Sequence, residues 1–263
     1  MTYLPIKYKI TGIKCLADDI KLFYVKSNLN PMPGQFIEVS LPGIGEIPLA
    51  SCTFDKNNIN LLVRNVGIVT SKLFSLKNKD SIFIRGPYGK GWPLNELKEK
   101  DLFIIAGGTG IAPVTSLIEY IEKNKKDFRK ISIYFGFRSK EYILLKEKIN
   151  SWKKKFKLII SLDEKAKGYE TGHLPNIIEK TRLNAENSVA LMCGPEIMMS
   201  SSTKALNKIG LANNKIFWSL ERRMECAIGN CGRCLIQDVY VCKDGPVFRY
   251  DKIKPKLENE QSN

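Results

Sequence analysis

ERRMECAIGNCGRCLIQDVYVCKDGPVF, residues 221–248, holds four of the seven cysteines in the chain. Cys226 and Cys231 are separated by four residues, Cys231 and Cys234 by two, and Cys234 and Cys242 by seven. The first three follow the spacing of thiolates that hold a plant-type 2Fe–2S cluster. A loop that wraps such a cluster needs tight turns, and Gly229 and Gly232 stand between the thiols to supply them. A zinc ribbon and a pair of disulfides are the competing readings. Zinc ligands usually come as paired short spacings, which the step from Cys226 to Cys231 fits poorly. Disulfides belong to secreted domains, and the N-terminus MTYLPIKYKI reads as a strand rather than a signal peptide. The expected metal ligands are therefore Cys226, Cys231, Cys234 and Cys242.

Upstream, residues 97–220 alternate short apolar runs with helical patterns. DLFIIAGG, KISIYFG, KLIIS, SVALMCG and KIFWS read as parallel strands buried on both faces. Helices are expected over Ala112–Lys123, Glu141–Ile149 and Glu196–Lys208. That alternation predicts a doubly wound parallel sheet. Gly107, Gly108, Thr109 and Gly110 lie at a strand-to-helix junction. Glycines there let the backbone approach a pyrophosphate, and the helix N-terminus favours its charge. Arg138, Ser139 and Lys140 follow the next strand, where they could meet a ribose 2′-phosphate.

Residues 1–96 read as an antiparallel barrel. Strands are expected over Ile6–Leu16, Ile20–Ser27, Gln35–Leu41, Ile59–Asn65 and Ser81–Arg85, with Pro, Gly and Asn breakers between them. In LLVRNVGIVTSKL, Leu62 and Val63 end a strand, and Arg64 follows. Gly67, Val69 and Thr70 open a short helix, a natural phosphate site to which Arg64 adds charge. The tail IKPKLENEQSN shows no apolar periodicity and is expected to be frayed.

The chain has 263 residues, 43% of them hydrophobic, and a net charge of +15. No apolar run approaches membrane-spanning length, so a cytoplasmic protein without membrane insertion is expected. The lysines are spread along the chain, which reads first as a solvated surface and second as docking of an acidic, ferredoxin-like protein. Basic residues are not interleaved with base-stacking aromatics, so nucleic acid comes last. His173, the one histidine, sits in ETGHLPN at a helix start. Side-chain acid–base chemistry has little to work with, which leaves the chemistry to cofactors.

Taken with YVCKDGPVF, ERRMECAIGNCGRC resembles the cluster segment of ferredoxin–NADP reductase-like electron-transfer subunits. That family includes the gamma subunits of sulfhydrogenases, the corresponding subunit of anaerobic sulfite reductase and, more distantly, the dihydroorotate dehydrogenase electron-transfer subunit. The resemblance runs along almost the whole chain. EIPLASCT is similar to the family's flavin segment, with Pro48, Leu49, Ala50 and Ser51 at its positions and Ile47 where an arginine is usual. Gly86 lies in a turn like the family's Gly-Pro-x-Gly. GGTGIAP resembles its pyridine-nucleotide loop. Cys193, Gly194 and Pro195 match its Cys-Gly-Pro segment, whose cysteine lies beside the nicotinamide. Asp163 stands near where NADP-specific relatives carry an arginine, and a carboxylate there suits a ribose diol. NADH is favoured and NADPH stays open.

The resemblance implies FAD, less often FMN, bound by the barrel at 1–96. It implies a nucleotide-binding unit at 97–220 and a cluster segment at 221–263. Electrons would pass between pyridine nucleotide, flavin and cluster, to or from a catalytic redox subunit of a hetero-oligomer. Nothing in the sequence looks like a site for hydrogen, sulfite or orotate. A stand-alone ferredoxin-type reductase and a zinc-bearing interaction module are the other classes left open.

Overall fold

The computed structural model describes residues 3–261. The chain opens with β1 (Ile6–Ala17), β2 (Ile20–Lys26), β3 (Phe36–Leu41), β4 (Gly45–Ala50), β5 (Asn58–Arg64), the helix α1 (Ile68–Ser75) and β6 (Ser81–Tyr88). These six strands form one antiparallel sheet in the order β4-β3-β6-β1-β2-β5. Its two edges meet through a bridge between Ser51 and Leu61 and a Cys52 N–H to Asn60 carbonyl bond of 2.7 Å. The edges are thereby sealed, which answers the exposed-edge problem of a sheet this small. Inward residues such as Phe23, Ile37, Ile59 and Ile84 fill the interior.

The second sheet begins at β7 (Asp101–Gly107), followed by α2 (Ile111–Lys123), β8 (Ile131–Phe137), α3 (Lys146–Lys153), β9 (Lys157–Leu162), β10 (Glu170–Thr171) and α4 (Leu174–Ile178). It continues with β11 (Ser188–Cys193), α5 (Glu196–Lys208) and β12 (Ile216–Ser219). Then come β13 (Leu235–Ile236), β14 (Val239–Tyr240), α6 (Val241–Asp244), β15 (Val247–Arg249) and α7 (Tyr250–Gln261). The sheet order is β10-β9-β8-β7-β11-β12-β15, parallel throughout except for β15, while β13 and β14 make a separate hairpin. From β7 the chain winds out to β10, then returns to lay β11 on the other side of β7. The reversal lies between β7 and β11, and in open α/β sheets ligands bind outside the strand ends at that point.

The barrel is fixed to this sheet through α2. Trp92 donates its indole N–H to the Pro113 carbonyl at 3.2 Å. Glu119 accepts from the Thr53 hydroxyl at 2.8 Å and the Phe54 amide at 2.7 Å, and pairs with Lys148 of α3. Among the described residues, no helix is long and apolar enough to cross a membrane.

Two expectations are corrected. The helix placed over Glu141–Ile149 is instead Lys146–Lys153. Ile143, Leu144 and Leu145 are all buried, and Leu145 takes a left-handed φ of 52°, so the chain turns into the core before the helix starts. The tail is helical rather than frayed, apart from residues 262–263, which lie outside the described residues. Tyr250 stacks on Trp218 with ring centroids 4.5 Å apart, and Ile253 and Leu257 are buried at 1% and 8% exposure. Those three positions share one helical face, so burial of that face stabilises a segment whose composition is polar.

Two tests follow from the fold. Ile253→Ala should cost about 2–4 kcal/mol in chemical denaturation, as for other buried large-to-small changes, whereas a frayed tail would give no change. Glu38 on β3 is fully buried, and neither carboxylate oxygen has a hydrogen-bond partner. Burial, aided by the Glu46 carboxylate, pushes its pKa up from 4.5 to about 9. The folded state therefore holds a proton that the unfolded state releases, and stability is lost as pH rises through that window. Glu38→Gln should gain melting temperature over the parent, and the gain should be larger near about pH 8.5 than near about pH 5. An equal gain at both values would mean the carboxyl is not held neutral.

Candidate functional site

Two cavities flank the switch point. The first, of about 470 Å³, lies between the barrel and the parallel sheet. Its barrel wall is Pro48, Leu49 and Ala50 from β4, Leu62, Val63 and Arg64 from β5, and Thr70 from α1. Thr109, Ala112 and Pro113 of the glycine-rich junction face them, with Cys193 at the end of β11. Leu220, Glu221, Arg222 and Met224, on the way into the cysteine loop, close the remaining side.

The polar parts of this wall suit a phosphate-bearing group. Gly67 caps α1 in extended conformation, and the Thr70 hydroxyl takes the Val66 and Gly67 amides at 2.9 and 2.8 Å. The hydroxyl's own proton goes to the Gly67 carbonyl. Thr70 therefore shapes the turn, and the first-turn amides are left for an anion. The Arg64 guanidinium is half exposed and held by Asp19 at 2.7 Å.

Not every residue singled out in the sequence reaches the cavity. Ser51 is buried in the barrel seam, its hydroxyl bonded to the Thr53 carbonyl at 3.0 Å. Val69 packs against the backbone at Gly45, and Gly86 lies beside Ile37 and Tyr88. Conversely, the Leu220–Met224 wall was not foreseen, since nothing in its composition marks it as ligand-facing.

The second cavity, of about 670 Å³, opens on the other side of the same strand ends. Gly107, Gly108, Arg138, Asp163, Pro195 and His173 are among its lining residues. Gly110 and Gly194 lie at the seam between the two cavities: a Cβ on Gly110 would fall 2.5 Å from the Cys193 carbonyl oxygen. Arg138 is exposed, while Ser139 is buried and bonds Glu141 at 2.6 Å, so of the basic turn only Arg138 faces the cavity. Asp163 pairs with His173 at 3.3 Å across the opening. The lone histidine thus stands at the N-cap position of α4 and borders the cavity.

Cys193 is fully buried, and burial pushes its thiol far above the usual range. It is a neutral wall group, not a nucleophile.

In the cysteine loop, amide groups point at sulfur. Gly229 donates to Cys242 Sγ at 3.1 Å, and Asn230 and Cys231 donate to Cys226 Sγ at 3.3 and 3.4 Å. Gly229 has φ 74°, and a Cβ there would meet Lys243 at 2.9 Å, so the turn that aims its amide needs glycine. Among the described residues, no three His, Cys, Asp or Glu side chains converge on a single ion. The thiols instead stand in two pairs, Cys226 with Cys231 and Cys234 with Cys242. Against the upward push of burial, the amides of Ile228, Asn230 and Cys231 bring the Cys226 thiol down to about 6. Burial and the Cys234 thiol push Cys242 up to about 12. Two thiols per metal and amides on sulfur fit a 2Fe–2S cluster.

Around this loop Cys231, Ile228 and Leu235 are exposed, as are Arg223, Arg233 and Lys243. Arg222 is not part of that surface. It is tied inward to Glu196 and to Glu260 at 3.0 Å.

Comparison with known proteins agrees with this layout. Residues 104–204 match the model of the oxidoreductase NAD-binding domain. Residues 221–254 match that of the iron–sulfur cluster binding domain of dihydroorotate dehydrogenase B. The sulfhydrogenase 2 gamma subunit of Pyrococcus furiosus is 33% identical, over 94% of this chain and 96% of its own. A probable dihydroorotate dehydrogenase B (NAD(+)) electron transfer subunit from the same organism is 38% identical, over 89% and 85%. In fold, the chain is similar to a solved NADH-dependent reduced ferredoxin-NADP oxidoreductase, with TM-score 0.78, 24% identity and 96% and 93% of the two chains covered. A Neisseria gonorrhoeae ferredoxin NADP+ reductase gives TM-score 0.72 at 16% identity, covering 81% of this chain and 97% of its own. The chain therefore belongs to the family of electron-transfer subunits that includes the sulfhydrogenase gamma subunits and the dihydroorotate dehydrogenase B electron transfer subunits.

Proposed function

We propose that the chain is an NAD(P)H- and flavin-dependent electron-transfer subunit that exchanges electrons with a catalytic partner subunit. One observation carries this reading: a single cavity is walled by the barrel, by the nucleotide-loop strand ends and by the entry to the cysteine loop. The corresponding division is 1–96, 97–220 and 221–263, with a cytoplasmic location supported by seven free thiols.

FAD is the group proposed for the first cavity, in preference to FMN. Pro48, Leu49, Ala50, Leu62 and Val63 offer an apolar wall, and Arg64 and the start of α1 suit the pyrophosphate. Gly67, Val69, Thr70, Ser51 and Gly86 shape that wall. Gly107, Gly108 and Pro195 in the second cavity, with Gly110 and Gly194 at the seam, would cradle a pyridine nucleotide, and Thr109 and Cys193, on the first-cavity side of that seam, would meet its nicotinamide end. When bound, the flavin supplies the conversion between a two-electron hydride and single electrons. The chain's own part is to orient the nucleotide, keep water from the strand ends and hold the cluster through Cys226, Cys231, Cys234 and Cys242.

Asp163 and Arg138 set the nucleotide. With His173 beside it, the Asp163 carboxylate favours a ribose diol over a 2′-phosphate, so NADH is the proposed substrate. The terminal reaction belongs to the partner, of hydrogenase or sulfite reductase type. A dihydroorotate dehydrogenase partner is the second reading, favoured by the cluster-domain match.

Protein purified anaerobically should contain flavin and about two irons per chain. Serine at Cys226, Cys231, Cys234 or Cys242 should remove or destabilise the cluster, while Cys15→Ser and Cys52→Ser keep it. Stoichiometric zinc without iron would sink this reading. Asp163→Ser should shift the NADPH-to-NADH ratio of kcat/KM upward by about tenfold, a change of about 1.4 kcal/mol. An unchanged ratio would remove Asp163 from the specificity role. The chain alone should pass electrons from NADH to a dye but show no activity on hydrogen, sulfite or orotate, and affinity capture from the host should recover a catalytic subunit.

A further inference from the structure

Three ionisable side chains, Glu38, Glu46 and Arg85, meet where the barrel touches the cysteine loop. On β3, Glu38 stands opposite Pro48 of β4 and Arg85 of β6. Pro48 belongs to the wall of the first cavity. Arg85 is only 10% exposed and spends its donors in two directions. Its Nε reaches both Glu46 carboxylate oxygens at 3.0 Å. One terminal nitrogen donates to the Cys226 carbonyl at 3.0 Å and the other to the Glu225 carbonyl at 2.9 Å. The Tyr88 hydroxyl accepts from Arg85 at 3.2 Å, and its ring lies 5.3 Å from the guanidinium carbon. Tyr88 packs on Phe36, another wall residue of the first cavity. Glu38, buried beside Arg85 without a partner, makes no bond to it, so the guanidinium is bound only to Glu46, Tyr88 and the loop.

We infer that Arg85 is a positioning residue for the electron step between flavin and cluster. It pins the backbone of the first cluster ligand to a strand neighbouring the flavin wall, and it places a fixed positive charge beside the cluster. The inference rests on the cofactor assignment proposed above. Oxidation of NADH gives NAD+, one proton to solvent and two electrons, which leave singly through the cluster to an acceptor dye. Each transfer depends on how the protein spaces and orients donor and acceptor. The charge matters separately, because net charge and hydrogen bonding set cluster potentials. Lysine keeps the charge but cannot serve two carbonyls and both Glu46 oxygens at once.

The test compares wild-type holoprotein with Arg85→Lys and Arg85→Met, each checked for iron and flavin. Rapid mixing with NADH follows flavin bleaching, freeze-quench EPR follows cluster reduction, and a dye-mediated titration gives the cluster midpoint potential. Flavin bleaching should match wild type in both variants, while cluster reduction slows severalfold. The potential should become more negative in Arg85→Met and stay near wild type in Arg85→Lys, a split that general loosening of the fold would not produce. Should Arg85→Met lose its iron, the Arg85→Lys rate decides. Variants matching wild type in both rate and potential overturn the inference. Wild-type protein lacking flavin or cluster would instead overturn the cofactor assignment itself.

Discussion

The structure depends on two strand ends that must touch. β7 and β11 pair along their whole length and release their chains side by side, at Gly107 and Cys193. A side chain on Gly107 would strike Met198, and one on Gly110 would meet the Cys193 carbonyl oxygen at 2.5 Å. Bare backbone lets the helices α2 and α5 start against one another, so their N-termini face the same opening. α2 then supplies the seat for the barrel through Pro113 and Glu119. The first cavity exists because that seat holds the barrel just above the strand ends, whereas the second is lined by the parallel-sheet unit alone.

The surface charge acquires a more local meaning. A net charge of +15 spread over the chain says little about partners. At the cysteine loop, however, Arg223, Arg233 and Lys243 are exposed together with Ile228 and Leu235. Arg233 is itself paired with the exposed Glu225 at 3.5 Å, so the rim of the loop is of mixed charge around an apolar centre. Arg222, adjacent in sequence, is diverted into the ion pairs that fasten the loop to α5 and α7.

Much of the fold was legible because its signals are local. Continuous apolar runs marked β7, β8, β9, β11 and β12, and cysteine spacing marked the cluster loop. Where the signal is not local, the sequence misleads. Ser51 looks like a ligand-facing hydroxyl, but the bridge to Leu61 draws it into the barrel seam. Residues 141–145 carry a helical pattern, yet burial of Ile143 to Leu145 draws them into the core as turns. Tyr250, Ile253 and Leu257 are outnumbered by charges and accompanied by Pro255, and only Trp218 and the sheet edge give them something to bury against. The Leu220–Met224 wall and the Arg85 clamp were likewise invisible, since both arise from residues brought together over long separations.

The antiparallel strand β15 has a consequence for how the protein lives with an oxidisable centre. It pairs with β12 from Ser219 to Phe217, and the Leu220 amide bonds the Pro246 carbonyl at 2.9 Å. The cysteine loop is therefore a closed detour whose two ends are stitched together by the sheet itself. Its entropy is already restricted by that closure, whether or not iron is present. Loss of the cluster would then open the detour locally, with the sheet left standing. Repair is then a matter of refilling a loop, without returning the chain to its unfolded ensemble.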